Sequence, residues 1–432
     1  MQPKFDSAYA ITALDGRNRY KLQDLATYFS DFILTKRRYA IELRYLVELS
    51  KHDVIRKLTK KEHTLIIRLI EVFSAIDYRA IQKIEAKINH DVKAVEEYVK
   101  KKLLYTSLRD LSPMVHFGLT SDDLNSIAYA VMTKDVLYQI ILPSLKKIQS
   151  TLLDKSKQWK TQTMLGRTHG QPAVPTTVGK EILIYYKRLN DEILKLETLD
   201  FRAKFSGNVG NFNAHQFVFP KIDWLKFSRD FISSFGLKFD PVTNQIQPYD
   251  SLINLFSGLV RINNILQGLT VDFWLYISQG YFMQRKITKE VGSSALPHKV
   301  NPIYFEGAEG GLGLANAFFE FYVRKLSYSR LQRDLSDSIV RRSFGTAFGY
   351  SELSYQSISI ALSRLEINKQ VIEADLDQHF EILSEPIQNF LRTKGYDDAY
   401  DKTKLFFRGK ILNESDIMKF IISLNLKSSD KK

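Results

Sequence analysis

The sequence predicts an all-α fold of three domains, and three observations support it. Long stretches place apolar residues three or four apart, no segment is convincingly strand-rich, and the connections between stretches are short and polar. Residues 1–112 read as an opening helical domain, with a turn at Asp15-Gly16-Arg17 and periodic segments near 21–50, 61–75 and 91–104. From 113 to 368 the chain becomes a central domain of five long helical stretches, near 121–159, 176–205, 249–279, 302–327 and 334–367. In the first, Leu124, Ile127, Val131, Ile141, Leu145, Ile148 and Leu152 form the stripe, and Pro143 predicts a kink or break. In the last, Val340, Phe344, Phe348, Tyr355, Ile358, Leu362 and Leu365 do the same. Helices of this length run roughly 40–55 Å and need a bundle to cover their stripes. Several stripes are wide, which predicts burial on more than one side and hence packing between subunits. Residues 369–432 form a smaller helical tail domain, ending in a charged, frayed LKSSDKK. Short hairpins are expected in the irregular 206–248 region.

Composition narrows the function classes. At 432 residues, 44% hydrophobic and 25% charged, the chain has the balance of a soluble globular protein with an ample core. It contains no cysteine, so disulfides, thiolate metal sites and thiol nucleophiles are excluded, and a reducing cytoplasm is the expected setting. No window approaches the ~18 consecutive apolar residues of a membrane span, and MQPKFDSAYA lacks the core of a signal peptide. The net charge of +14 suits a nucleic acid or a small polyanion, but Lys and Arg are scattered without a basic arm.

The densest chemistry lies in GSSALPHKVNP, Gly292 to Pro302, which holds two serines, a His, a Lys and an Asn between a Gly and two prolines. Such punctuation predicts a loop, with a helix starting near Pro302. Asn89-His90-Asp91 precedes a helical run, so Asn89 and Asp91 read first as helix caps, and His90 as a donor to an anionic ligand. HFGLTSDD puts Thr120 and Ser121 at a helix start, which is either a plain cap or an anion site. GRTHGQPAVPTT holds His169 in a Gly/Pro-rich segment, and TNQIQPYD presents Gln245 before a long helix. SRLQRDLSDSIVRR contributes Arg330, Arg333, Ser338, Arg341 and Arg342, forks suited to carboxylate and phosphate. GGLGLAN follows no strand and is a poor dinucleotide fingerprint; no His/Asp/Glu spacing suggests a metal. Neither metal nor cofactor is expected.

GSSALPHKVNP closely resembles the signature loop of the fumarase/aspartase superfamily, Gly-Ser-Ser-x-x-Pro-x-Lys-x-Asn-Pro. His298, just before the Lys, points within it to adenylosuccinate lyases of the longer bacterial type. The resemblance extends through the Asp-Gly-Arg turn, NHDVKAVE, HFGLTSDD, RTHGQP, GNVGNFNAH and QRDLSDS. It implies a three-domain all-α subunit, a homotetramer with a twenty-helix core, and active sites built from three chains. The implied reaction is loss of fumarate from adenylosuccinate and from the succinyl-carboxamide ribotide of purine synthesis. By the same resemblance Ser293 is the base and His169 the acid, with Lys299, Asn301 and the backbone at Val300 holding carboxylates. Glu306 would orient a catalytic His, and His90 is also counted among the catalytic set. Arg17, Asn18, Asn89, Asp91, Thr120, Ser121, Gln245, Arg333, Ser338, Ile339, Val340, Arg341 and Arg342 would bind substrate, with phosphate falling mainly to Arg17, Ser338 and Arg342. Two departures stand out: Asn18 follows Arg17, with Arg19-Tyr20 beyond, where Arg-Tyr is common, and Gly307 stands where Asn is usual. The alternatives are another fumarate-releasing lyase of the superfamily, or a non-catalytic basic protein of this fold that binds nucleic acid.

Overall fold

The computed structural model describes residues 7–287 and 295–431. In chain order, α1 (Gln23–Ala26) is followed by α2 (Asp31–Lys51), α3 (Lys60–Glu71), α4 (Ala75–Ile88) and α5 (Asp91–Leu103). Next come α6 (Ser121–Val136), α7 (Leu142–Gln158), β1 (Thr163–Thr168), β2 (Gln171–Thr177) and α8 (Val178–Glu197). β3 (Arg202–Ala203), α9 (Asn213–Val218), α10 (Trp224–Ser233) and β4 (Lys238–Phe239) lead to α11 (Asp250–Ser278) and β5 (Phe282–Gln284). The chain continues through α12 (Ile303–Leu326), α13 (Ser336–Arg342), α14 (Phe344–Ser363) and β6 (Leu365–Ile367). It closes with α15 (Lys369–Asp377), α16 (Ser384–Thr393), α17 (Ala399–Phe407) and α18 (Glu414–Ser423). The fold is all-α, as expected, with strands only in two-stranded pairs among the described residues.

The differences from the sequence reading have local causes. The antiparallel hairpin falls at 163–177 rather than in 206–248, which contributes only β4, paired in parallel over two residues with β3 just before that region. Pro172 and Pro175 forbid helix there, and both sit in the ladder opposite Arg167 and Leu165. The first long stretch is interrupted by a π-helical turn at Leu137–Ile141 just before Pro143. A proline ring collides with the carbonyl four residues back, here that of Gln139, and the wider turn relieves the clash. α2 starts at Asp31 rather than near 21 because the Ser30 hydroxyl accepts the Ile33 amide at 3.3 Å. α4, missed by periodicity, starts at a Ser74/Asp77 capping box. The last stretch divides at Ser343 into α13 and α14.

The chain forms two compact units. The first comprises Met1–Lys146, Glu192–Asn264 and Gly310–Gln356; the second comprises Lys147–Asp191, Ile265–Glu309 and Ser357–Lys432. These cut across three consecutive sequence segments because α7, α8, α11, α12 and α14 each contribute residues to both.

In the first unit α2 packs on α3, α5 and α6, burying Leu43, Leu46, Leu49, Val95, Val99, Leu124 and Ile127. Phe256, Tyr322 and Phe344 pack with ring centroids 4.9 Å apart for Phe256–Phe344 and for Tyr322–Phe344. Within this interior Asp123 and Lys204 form a fully buried pair at 2.8 Å. The same carboxylate accepts the amides of Thr120 at 2.9 Å, Ser206 at 3.0 Å and Gly207 at 3.2 Å. In the second unit Phe273 stacks on Phe305 at 5.5 Å, and Trp159 meets Phe282 edge-on. The tail helices there have their own small core of Leu391, Ala399, Phe407, Leu412, Ile417, Phe420 and Leu424.

Removing one partner of a buried pair strands the other's charge. Asp123→Ala is expected to cost roughly 3–5 kcal/mol, read as a lower unfolding midpoint. Lys204→Met added to it should restore part of the loss. An unchanged midpoint in Asp123→Ala would count against this view of the pair.

Candidate functional site

In the first unit the fold brings four of the sequence-predicted stretches together. Asn89 closes α4 in the left-handed conformation (φ 53°), which an Asn tolerates. The cap of α5 is then His90, not Asn89 or Asp91: its Nδ1 accepts the Lys93 amide at 3.1 Å. That bond leaves Nε2 to carry the proton, on a side chain about half exposed. Asp91 is the first residue of α5, and its carboxylate lies 2.9 Å from Arg38 and 2.8 Å from Arg342. Burial pushes its pKa upward, but Arg38, the Val92 amide and Arg342 outweigh it and hold it below the usual range.

In the first turn of α6, buried Asp122 binds Arg333 at 2.7 Å and Arg341 at 2.9 Å. Asp337 closes the square, 3.2 Å from Arg333 and 3.3 Å from Arg341, and accepts the Tyr249 hydroxyl at 2.6 Å. The stretch holding Gln245 is tied to the same segment, since the Gln245 amide donates to the Gln332 carbonyl at 3.3 Å. A loop from GNVGNFNAH lies alongside: a Cβ on Gly210 (φ +81°) would stand 1.9 Å from the Thr243 carbonyl, so only glycine fits.

The predicted residues do not all face outward. Ser121, Gln245 and Ser338 are half-buried, while Ile339 and Arg342 are exposed. Thr120, Val340 and Arg341 are buried. Arg341 was counted as a substrate contact, but its guanidinium is committed to Asp122 and Asp337 and packs 5.2 Å from the Tyr129 ring centroid. Its place is behind the surface, holding Asp122 and Asp337. Val340 is likewise core. Arg17 is exposed and Asn18 half-buried, in a turn whose neighbour Leu14 packs on Gly349 of α14. Arg38, Asp122, Tyr249 and Asp337 were not singled out by sequence. The last three stand inside quoted motifs, whereas nothing near Arg38 marked it.

In the second unit His169 sits at the exposed tip of the β1–β2 hairpin. His169 (φ +54°) and Gly170 (φ +73°) are the two central residues of its two-residue turn, both left-handed as a tight hairpin turn requires. Lys299 and Val300 are exposed, Asn301 is half-buried, and the Lys299 amide donates to the Leu296 carbonyl at 3.1 Å. The helix expected at Pro302 begins at Ile303. Glu306 accepts a hydrogen bond from the Trp274 indole at 3.0 Å, not from an imidazole. Ser293 lies outside the described residues.

Among the described residues the fold also brings together Glu48, His52 and Asp230, a His/acid group that no sequence spacing announced. Lys51 lies 2.9 Å from Glu48 and Lys226 3.5 Å from Asp230, so both carboxylates already face cations.

Two histidines of the first unit have opposed electrostatics. Burial lowers the pKa of His116, but Glu42, whose Oε1 is 2.5 Å from its Nδ1, with Glu96 and Asp123, raises it overall. His215, wholly buried among Phe117, Phe205, Phe212 and Trp224, is pushed down to about 4 by that burial. The His116 contribution is therefore full below about 6.5, the unfolded value, and is lost as pH rises through its raised folded pKa. The His215 contribution is full above about 6.5 and is lost as pH falls toward 4. Unfolding midpoints against pH should thus lose their acid-side fall in His215→Leu and their alkaline-side fall in His116→Gln. Parallel curves for wild type and variants would exclude both assignments.

Residues 18–314 match the family model described as Lyase, and residues 329–432 match that described as Adenylosuccinate lyase C-terminal. The chain is 42% identical over 426 residues to an adenylosuccinate lyase of Legionella pneumophila (strain Corby), covering 98% of this chain and 93% of that one. It is 38% identical over 432 residues to the adenylosuccinate lyase of Escherichia coli (strain K12), covering 99% and 95%. The fold matches the crystal structure of a fumarate lyase from Mesorhizobium sp. BNC1 with a TM-score of 0.73 at 16% identity, covering 89% of this chain and 86% of the other.

Proposed function

The chain belongs to the adenylosuccinate lyase family, and on that premise we propose how its residues divide the reaction. It is a C–N lyase that releases fumarate from adenylosuccinate to give AMP, and from the succinyl-aminoimidazole-carboxamide ribotide to give its carboxamide product, in purine biosynthesis. The observation that carries the reading is the 42% identity to an adenylosuccinate lyase over 98% of this chain.

The chemistry asks for three things. A base removes a proton from the carbon beside a carboxylate, the C–N bond breaks as the double bond of fumarate forms, and the departing nitrogen takes a proton from an acid. The intermediate carries a doubly charged aci-carboxylate, which needs donors and cations placed in advance. Ser293 is the proposed base and His169 the proposed acid. Lys299, the Val300 backbone and Asn301 would hold the carboxylates and lower the serine's pKa. His90, with its Nε2–H outward, would donate to substrate, and Glu306 would orient a catalytic His. Arg17, Ser338 and Arg342 would take the phosphate, with Asn18, Asn89, Thr120, Ser121, Gln245 and Ile339 around them. Asp91 and Arg333 would set the rim, held in turn by Arg38 and Asp122.

Assembly as a homotetramer with sites shared between chains belongs to the same proposal. Exposed apolar side chains on the long helices support it: Leu183, Ile184 and Leu194 on α8, Val271, Trp274 and Leu275 on α11, Leu314 and Phe321 on α12. A cytoplasmic location and the consecutive domains 1–112, 113–368 and 369–432 complete it.

The test is ultraviolet absorbance with purified protein and adenylosuccinate. Wild type should yield AMP and fumarate, and Ser293→Ala and His169→Gln should each lose at least ~10²-fold in rate. Retained activity in one variant would move that role elsewhere. A folded wild type without turnover would sink the whole reading.

A further inference from the structure

We propose that Asp375, on the tail helix α15, is a positioning residue for His169, acting through an ion pair in which Arg167 Nη2 bridges both carboxylate oxygens. This deepens the proposed role of His169 and rests on it.

His169 stands two residues beyond Arg167 along β1 and its turn. The tip itself is exposed, so the direction in which His169 reaches depends on how the hairpin's stem is held. The stem carries a register shift between Leu165 and Arg167, at Gly166, where a Cβ would stand 2.6 Å from the Val174 carbonyl. An irregularity of this kind re-aims the following side chain. Arg167 Nη2 reaches both oxygens of Asp375, at 2.9 and 2.7 Å.

Asp375 is itself held on more than one side. The Tyr281 hydroxyl donates to its Oδ2, and His379 Nε2 lies 3.6 Å from its Oδ1. His379 Nδ1 is 2.7 Å from Glu381, on a short turn that packs against β2. The tail segment thus touches both strands of the hairpin, α15 on β1 and the Phe380–Leu383 turn on β2. Burial raises the Asp375 pKa, but Tyr281 and Arg167 outweigh it, while burial and then Asp375 push the Tyr281 hydroxyl up to about 12. The carboxylate is ionised throughout the neutral range, so the clamp is permanent rather than pH-gated.

A displacement of about 1 Å at a reacting group can cost ~10²-fold in rate. Asp375→Asn should therefore lower kcat roughly 10- to 100-fold, leave KM within about twofold, and leave the pKa values of the pH–rate profile in place. The chain has no cysteine, so a spin label on Gln171→Cys reports the hairpin tip alone. Its spectrum should sharpen in the Asp375→Asn background. Full kcat and an unchanged spectrum in a folded Asp375→Asn protein overturn the proposal. If Asp375→Asn does not fold, Arg167→Gln decides, since it removes the cation that Asp375 holds: lowered kcat supports the clamp, and wild-type kcat overturns it. The charge swap Arg167→Asp with Asp375→Arg should recover kcat relative to either single change. Parallel assay of His169→Gln separates the two readings. Its inactivity beside an Asp375→Asn protein with full kcat and an unchanged spectrum removes the clamp alone, and its full activity removes the acid role while the label still reports the clamp.

Discussion

Two adjacent carboxylates, Asp122 and Asp123, enter the interior at the first turn of α6, and much of the first unit is arranged to keep them charged there. A buried carboxylate without a partner is too costly to persist. Asp123 is matched by Lys204 and the amides of Ser206 and Gly207, more than 75 residues away in sequence. Asp122 is matched by Arg333 and Arg341, more than 200 residues away. The pairing of Asp122 pins the segment that carries Arg333, Ser338 and Arg342, and the pairing of Asp123 pins the loop at 204–207. The placement of α6 therefore settles where the 206–210 loop and α13 can lie.

Arg341 and Arg342 show how position divides one residue type. Both are arginines at the end of α13, yet Arg341 is enclosed by Asp122, Asp337 and two tyrosine rings, and Arg342 is exposed with Asp91 as its anchor. The first stabilises the scaffold, and the second remains available to an anion. The +14 net charge says little about this, because many cations are committed to internal carboxylates. What matters for a doubly charged intermediate is which few remain aimed outward.

The hairpin bearing His169 follows a different logic. Its prolines exclude helix, its glycines allow a tight turn and a bulge, and a two-stranded element results in what the sequence shows only as a Gly/Pro-rich segment. A group on such an element is placed more reproducibly than one on a free loop. Of the described residues of the signature loop, Lys299 is exposed shortly before α12, and Glu306 stands one turn into that helix.

The helical periodicity, the absence of cysteine and the ordered motifs are local properties, so the all-α class, four of the five long stretches and the family were legible in the chain itself. α11 and α12 fall within a few residues of their expected bounds because wide apolar stripes and terminal polar residues mark them directly, whereas α8 stops at Glu197, eight residues short of the expected 205. The cap at His90 was not legible, since Asn and Asp beside it are the commoner caps, and only the left-handed turn at Asn89 leaves the role to the histidine. Arg38 was invisible for the same kind of reason: its meaning comes from Asp91 and Asn125, which the fold brings to it. Sequence by itself determined which residue types the chemistry has to work with. Tertiary structure decided which charges are paired inside and which face out, because the energy of a charge depends on burial and on partners that no local spacing specifies.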